Sequence, residues 1–167
     1  MSTEEMVEAL AAALMESQAL PQRLLEAGEE LPEAGALPLE ERVYRAQTPA
    51  ELLEKCATLR KTSLQVYCRK SSTDFGERFR GEGRRAEMVV EVVATAGRLE
   101  ELRPRAMRYA DAIADVLRQR AGCLKPELFL RNQTEVVYEP AKKGGLHLVE
   151  VVRVFCTLEW KKGTVGA

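Results

Sequence analysis

Two stretches of alternating residues limit what this chain can become. In "AEMVVEVVATA", Met88, Val90, Val92 and Ala94 fall on one side of an extended strand, with Glu87, Val89, Glu91, Val93 and Thr95 on the other. In "LHLVEVVRVFCTLEW", Leu146, Leu148, Val152, Val154, Cys156, Leu158 and Trp160 share one face, interrupted only by Glu150. A period of two marks a strand with a buried face. "TSLQVYCRK" repeats the pattern, Leu64, Val66 and Cys68 alternating with Ser63, Gln65, Tyr67 and Arg69. The second face of the 86–96 run is only half polar. That is compatible with partial cover by another subunit, and equally with ordinary exposed apolar side chains.

Helices have to cover such a sheet, and their start signals are readable. Ser2 and Glu5 have capping-box spacing ahead of an apolar stripe of Met6, Leu10, Ala13 and Leu14. A second short helix starts at Pro21 and stops near Gly28. "EELPEAGALPLEERVY" then reads as a connection leading to a short extended piece around Val43–Ala46. In "TPAELLEKCATL", Thr48 caps, Pro49 takes the first helical position and Glu51 completes a capping box, predicting a helix to about Leu59 that buries Leu52, Leu53 and Cys56. "RPRAMRYADAIADVLRQRAG" predicts the longest helix: Pro104 in the first turn, an apolar stripe of Met107, Ala110, Ile113, Ala114, Leu117 and Ala121, Arg118 and Arg120 at the negative end, and Gly122 as a left-handed cap. "TEVVYEP", an "AKKGG" connection and the last strand read as a hairpin, and "ELFLRN" at Glu127–Asn132 as a short strand.

The order predicts an α+β fold: a mainly antiparallel sheet, helices packed on one face, and a long loop between two central strands. A chain of 167 residues suits one domain, which buries roughly 70% of its unfolded surface at this size. Within it, 1–47 is a helical and irregular segment, 48–160 the core and 161–167 a tail.

Charge is segregated along the chain although the net value is only −1. Residues 1–54 hold 12 acids and 3 bases, and residues 55–85 hold 9 bases and 3 acids. Such a layout suits head-to-tail contacts between copies, and it also describes two solvated surfaces. The basic part culminates in the expected loop Ser71–Arg85, rich in glycine and arginine. Cys56, Cys68, Cys123 and Cys156 contain no C-x-x-C pair and read as reduced, mostly buried thiols. The acidic N-terminus lacks the basic region of a signal peptide, and no apolar run approaches the roughly 20 residues of a membrane span. The expectation is a soluble protein of the cytoplasm with no membrane contact.

Catalytic readings fail on spacing. "DFG" at Asp74–Gly76 matches the magnesium motif of protein kinases, but the glycine-rich loop, strand lysine and catalytic loop are missing. "RGEGRR" lacks the lysine and hydroxyl residue of a P-loop and enters a strand instead of a helix. The single histidine, His147, has no motif partner. Asp111 and Asp115 stand one turn apart, but Arg108 and Arg118 at three-residue spacing make helix-surface ion pairs the simpler reading. No catalytic residue, cofactor or metal site is therefore expected. Arg69, Lys70, Arg78, Arg80, Arg84 and Arg85 suit a non-specific touch on a DNA backbone, while a pI near 6.0 and few aromatics argue against base recognition.

The series "TPAELLEKC", "TSLQVYCRK", a polar loop, "AEMVVEVVATAG", "RPRAMRYADAIADVL" and "LHLVEVVRVFCTLEW" resembles the tail-terminator and minor tail (head-tail joining) proteins of long-tailed bacteriophages, from about Thr48 to Trp160. The likeness lies in architecture and hydrophobic pattern, without a signature of invariant residues. It implies a non-enzymatic virion protein, assembled in the host cytoplasm. Its expected form is a hexameric ring at the head-proximal end of the tail tube, which stops tube polymerisation and meets the head connector or a neck protein. It implies further that the loop between the central strands reaches the tube or the lumen, making Asp74, Phe75, Arg78, Phe79, Arg80, Arg84 and Arg85 the partner-contact residues. The segment Leu20–Glu41 does not align with the family and leaves the position in neck or tail open. A head-side neck protein, another minor tail protein, a small non-viral regulatory binding module and a small enzyme with an unrecognised site remain as alternatives.

Overall fold

Eight strands form one sheet in the computed structural model, which describes residues 1–29, 43–44, 62–74, 82–144 and 147–162. Strands β1 (Val43–Tyr44), β2 (Ser63–Asp74) and β3 (Glu82–Ala96) lead to β8 (His147–Lys162). β8 pairs antiparallel with β3 along its whole length, from Glu82↔Lys162 to Ala96↔Leu148. Its other edge is shared in turn by β7 (Lys142–Gly144), β6 (Glu135–Tyr138) and β5 (Leu128–Leu130), and β4 (Gly122–Lys125) closes the sheet on β5. Among the described strands only β1 on β2 is parallel. The α+β expectation holds, and the hairpin is tighter than expected because Lys142–Gly144 of the "AKKGG" connection is itself strand.

Helices α1 (Thr3–Met15), α2 (Leu20–Glu26) and α3 (Leu99–Gln119) lie on one face. The core there joins Met6, Leu10 and Leu14 of α1 and Leu20 and Leu24 of α2 to Leu64, Val66, Met88, Val90, Val92, Val152, Val154 and Leu158 of the sheet. The alternation decides this, since every one of those β3 and β8 residues occupies an even position. Ser2 and Glu5 form the expected capping box on α1, and the Ser2 interactions hold the Glu5 carboxyl below its usual range.

α3 departs from expectation. It starts at Leu99, so Pro104 sits inside it, and the missing N–H deprives the Glu100 carbonyl of its usual partner. The earlier start buries Leu102 completely and puts Glu100 and Glu101 in the first turn, where the helix dipole favours acids. The buried stripe runs through Leu102, Ala106, Tyr109, Ile113, Val116 and Leu117, leaving Met107 nearly half exposed. The expected helix from Thr48 to Leu59 lies outside the described residues.

Two further differences bear on function. The expected loop Ser71–Arg85 is much shorter, because Ser71↔Ala86 through Asp74↔Gly83 are paired strand. Where the sequence shows polar residues, the ladder continues because β8 supports β3 on the far side out to Glu82. The half-polar second face of β3 is also buried within the chain itself, with Val89, Glu91, Val93 and Thr95 each almost or wholly inaccessible. No second subunit is needed to cover them.

α2 ends in a left-handed turn. The Gly28 N–H donates to the Leu25 carbonyl and the Glu29 N–H to the Leu24 carbonyl, with Gly28 at φ +74°. This turn directs Glu29 inward, where its carboxylate accepts from Arg105 Nε at 3.1 Å and Arg108 Nη1 at 2.8 Å on α3. Gly28→Ala is expected to cost about 1 kcal/mol or more in urea unfolding because of its positive φ. Gly97→Ala, with open space around it, is expected to stay within about 0.5 kcal/mol of the parent. Equal costs would mean the α2 turn is not holding the conformation described.

Candidate functional site

Cations crowd one carboxylate where the β2–β3 ribbon meets the end of β8. Register puts Ser72, Arg85 and Glu159 side by side across three strands. Glu159 is approached by Arg131 at 3.6 Å, Arg85 at 4.0 Å and Lys161 at 4.0 Å. One carboxylate cannot neutralise three cations, so the patch keeps a positive potential. A shallow groove of about 460 Å³ crosses it, lined by Ser72, Thr73, Arg84, Arg85 and Lys161 beside Trp160, with Gly83 contributing no side chain.

Arg84 is held differently. Its Nη1 donates to Thr3 Oγ1 at 3.2 Å, while its Nε is buried without an acceptor. The first turn of α1, with Glu4 and Glu5, therefore lies against the base of the ribbon. The acidic N-terminal segment and the basic ribbon thus touch within one subunit through the Thr3 hydroxyl. Among the expected contact residues, Asp74 ends β2, and Arg84 and Arg85 fall in β3. Phe75, Arg78, Phe79 and Arg80 lie outside the described residues. Sequence reading missed Arg131, Glu159 and Lys161, which the β3–β8 and β5–β8 registers bring to the patch.

Upstream on β2, Arg69 pairs with Glu87 at 3.3 Å and stacks 4.8 Å from the Phe155 ring. Lys70 is exposed. On the second face of the sheet, a buried polar chain ties four segments together. The Tyr67 hydroxyl donates to Glu91 Oε2 at 2.8 Å, Arg153 Nε donates to the same oxygen at 2.8 Å, and Arg153 Nη1 donates to Glu139. Glu91 is fully buried. Burial alone would lower the Arg153 guanidinium, but its hydrogen bonds to Glu91 and Glu139 outweigh that and raise it. Burial, then the Glu91 hydrogen bond and charge, push the Tyr67 hydroxyl up to about 12.

The remaining candidates resolve individually. Asp115 pairs with Arg118 at 3.3 Å as expected, but Arg108 turns to Glu29 instead of Asp111 because a buried carboxylate attracts it more strongly than an exposed one. His147 opens β8. Of the cysteines, Cys156 is buried, its thiol pushed up to about 12 by burial, while Cys68 is half-buried. Cys123 is exposed, against expectation, because β4 is an edge strand. Cys56 lies outside the described residues. Among those residues no group of three or more metal-ligating side chains occurs, and no helix is long and apolar enough to cross a membrane. No family model matches the chain, and no curated protein sequence matches it.

Arg153→Leu removes the guanidinium that neutralises the fully buried Glu91 and is expected to cost about 3–5 kcal/mol. Arg69→Ala, at an exposed pair, is expected to cost about 1 kcal/mol or less by urea unfolding. In alkali the sign follows from the raised tyrosine. The Tyr67 contribution is complete below the ordinary value of 10.0 and is lost as pH rises through about 12. Cys156, raised from 9.0 to about 12, adds to the same decline. Unfolding free energy should therefore fall steeply above pH 10 and less steeply in Tyr67→Phe; parallel curves would show that Tyr67 is not the linked group.

Proposed function

We propose that this chain is a structural subunit of a long-tailed bacteriophage: a tail terminator that closes into a hexameric ring at the head-proximal end of the tail tube. It acts by contact and catalyses nothing. The reading rests on the resemblance of the strand and helix series, and one structural observation carries it further. β2 and β3 stay paired out to Asp74↔Gly83, so Arg84 and Arg85 sit in a paired ribbon and not in a loop. The ribbon holds these two arginines at a fixed place, which lowers the ordering cost of docking.

In this reading the ribbon end meets the tube protein, and the opposite face of the ring meets the head connector or a neck protein. Ring closure needs two different complementary patches on each subunit. The overcompensated Glu159 patch supplies a positive one, and lumenal DNA would feel the same field without being read.

Native mass spectrometry over a range of protein concentrations, with and without purified tube protein, tests the proposal. A discrete six-subunit species under either condition is expected. A chain that stays monomeric with its tube partner present would overturn it. The double substitution Arg78→Glu, Arg80→Glu is expected to weaken tube docking while leaving the melting temperature within a few degrees of the parent.

A further inference from the structure

We propose that the Glu159 patch is a binding site for a dianionic phosphate group, free or ending a small organic molecule. Three cations converge on it from separate pieces of chain: Arg85 from β3, Lys161 from β8, and Arg131 from the residue that follows β5. Strand alternation sends Arg85, Glu159 and Lys161 to one face, since Arg85 lies beside Glu159 and Lys161 comes two residues later. The backbone under two of them is pinned. The Arg131 N–H donates to the Thr157 carbonyl at 3.0 Å, and the Lys161 N–H to the Glu127 carbonyl at 2.9 Å. Gly83 stands beside Lys161 in the register and adds no side chain, which leaves the groove of about 460 Å³ open there.

Glu159 itself shows why a carboxylate does not complete this site. Arg131 and Arg85 crowd one of its oxygens at 3.6 Å and 4.0 Å, and Lys161 stands 4.0 Å from the other. Charge-assisted hydrogen bonds close to roughly 2.7–2.9 Å, so Coulomb attraction gathers the cations while none of the three bonds to the carboxylate. A phosphate group offers three strong acceptor oxygens, one for each cation. The charge agrees as well. Three cations against one carboxylate leave two positive charges, and a phosphomonoester carries about −1.5 to −2 at pH 7. A phosphodiester, with a single charge, would leave half of that surplus in place. The exposed Ser72 hydroxyl, beside Arg85 in the register, adds a neutral donor at the rim. The groove has the size of small-molecule sites, about 300–1,000 Å³, and gives an organic group room beside the anion. The site is complete in one subunit, so phosphate binding and hexamer formation can fail separately.

The test titrates the full chain with inorganic phosphate, uridine monophosphate, a dithymidine phosphodiester and succinate, following the Arg85 and Arg131 side-chain Nε–H signals by NMR. Saturable shifts at both arginines are expected from the first two, with a Kd of about 1 mM or tighter for the better of them. Equal affinities would identify free phosphate as sufficient, and tighter nucleotide binding an organic phosphate. The phosphodiester and succinate are expected to bind about tenfold more weakly. Arg131→Ala and Lys161→Ala should each weaken phosphate binding about tenfold, and Glu159→Gln should tighten it several-fold. Arg118→Ala, on α3 and paired with Asp115, should leave it unchanged. The proposal is overturned if neither phosphate compound shifts those signals, or if succinate binds as tightly. It is equally overturned if the phosphodiester does, which would make the occupant a nucleic-acid backbone, or if Glu159→Gln fails to tighten binding.

Discussion

The pairing of β3 with β8 is the constraint on which the rest depends. The two longest strands run together without a break from Glu82↔Lys162 to Ala96↔Leu148. Because side chains alternate faces, that single register decides the position of every residue on both strands. It aligns Met88 with Cys156, Val90 with Val154 and Val92 with Val152, producing one apolar surface for α1, α2 and α3 to cover. It also sets Glu91 beside Arg153 and Arg85 beside Glu159. A slip by one residue would turn the valines away from the helices and strand a buried glutamate opposite an apolar side chain.

The buried charges act as enforcers of this register. Glu91 has no access to solvent, and an unpaired carboxylate there would cost several kcal/mol. Arg153 and Tyr67 satisfy it from the strands on either side, so β2, β3 and β8 must be aligned together. The helix side has its own pair: Glu150 is buried and accepts from Arg103 Nε at 2.6 Å, fixing α3 against β8. Arg105 adds a second tie, bridging Glu29 of the α2 turn and the Thr95 carbonyl of β3. Such contacts add less to net stability than their number suggests, but each penalises a misaligned alternative.

The legible parts of the sequence were those governed by periodicity and caps. The alternation of Met88 to Ala94 and of Leu148 to Trp160, the Ser2–Glu5 box and the Gly28 stop are local signals, and local geometry follows from them. The start of α3 was misread because Pro104 is a strong local signal that the burial of Leu102 overrides. The ribbon was misread as a loop because Ser71–Asp74 and Glu82–Arg85 have no apolar period, their strand state coming from the neighbour on the other side. Glu91 read as part of a half-polar second face and Glu150 as a lone interruption of the apolar one; partners on other strands and on α3 make their burial tolerable. The Glu159 patch was invisible for the same reason: Arg131, Glu159 and Lys161 mean little until the register gathers them.

Electrostatics changes scale between sequence and structure. The acidic N-terminal third and the basic middle suggest a molecule with two poles, yet Arg84 reaches Thr3, beside Glu4 and Glu5, within the subunit. At physiological ionic strength, charges farther apart than about 8 Å are largely screened, so a partner feels neither the net charge nor the segment totals. It feels what local pairing leaves over. Around Glu159 three cations share one carboxylate, and along the exposed β2 edge Lys70 stands beside an arginine already engaged with Glu87. The residual positive charge gathers on the β2–β3 ribbon and the end of β8 that supports it. An acidic partner would relieve the repulsion among cations that share one carboxylate, and this is the physical reason why the proposed contact lies on the ribbon.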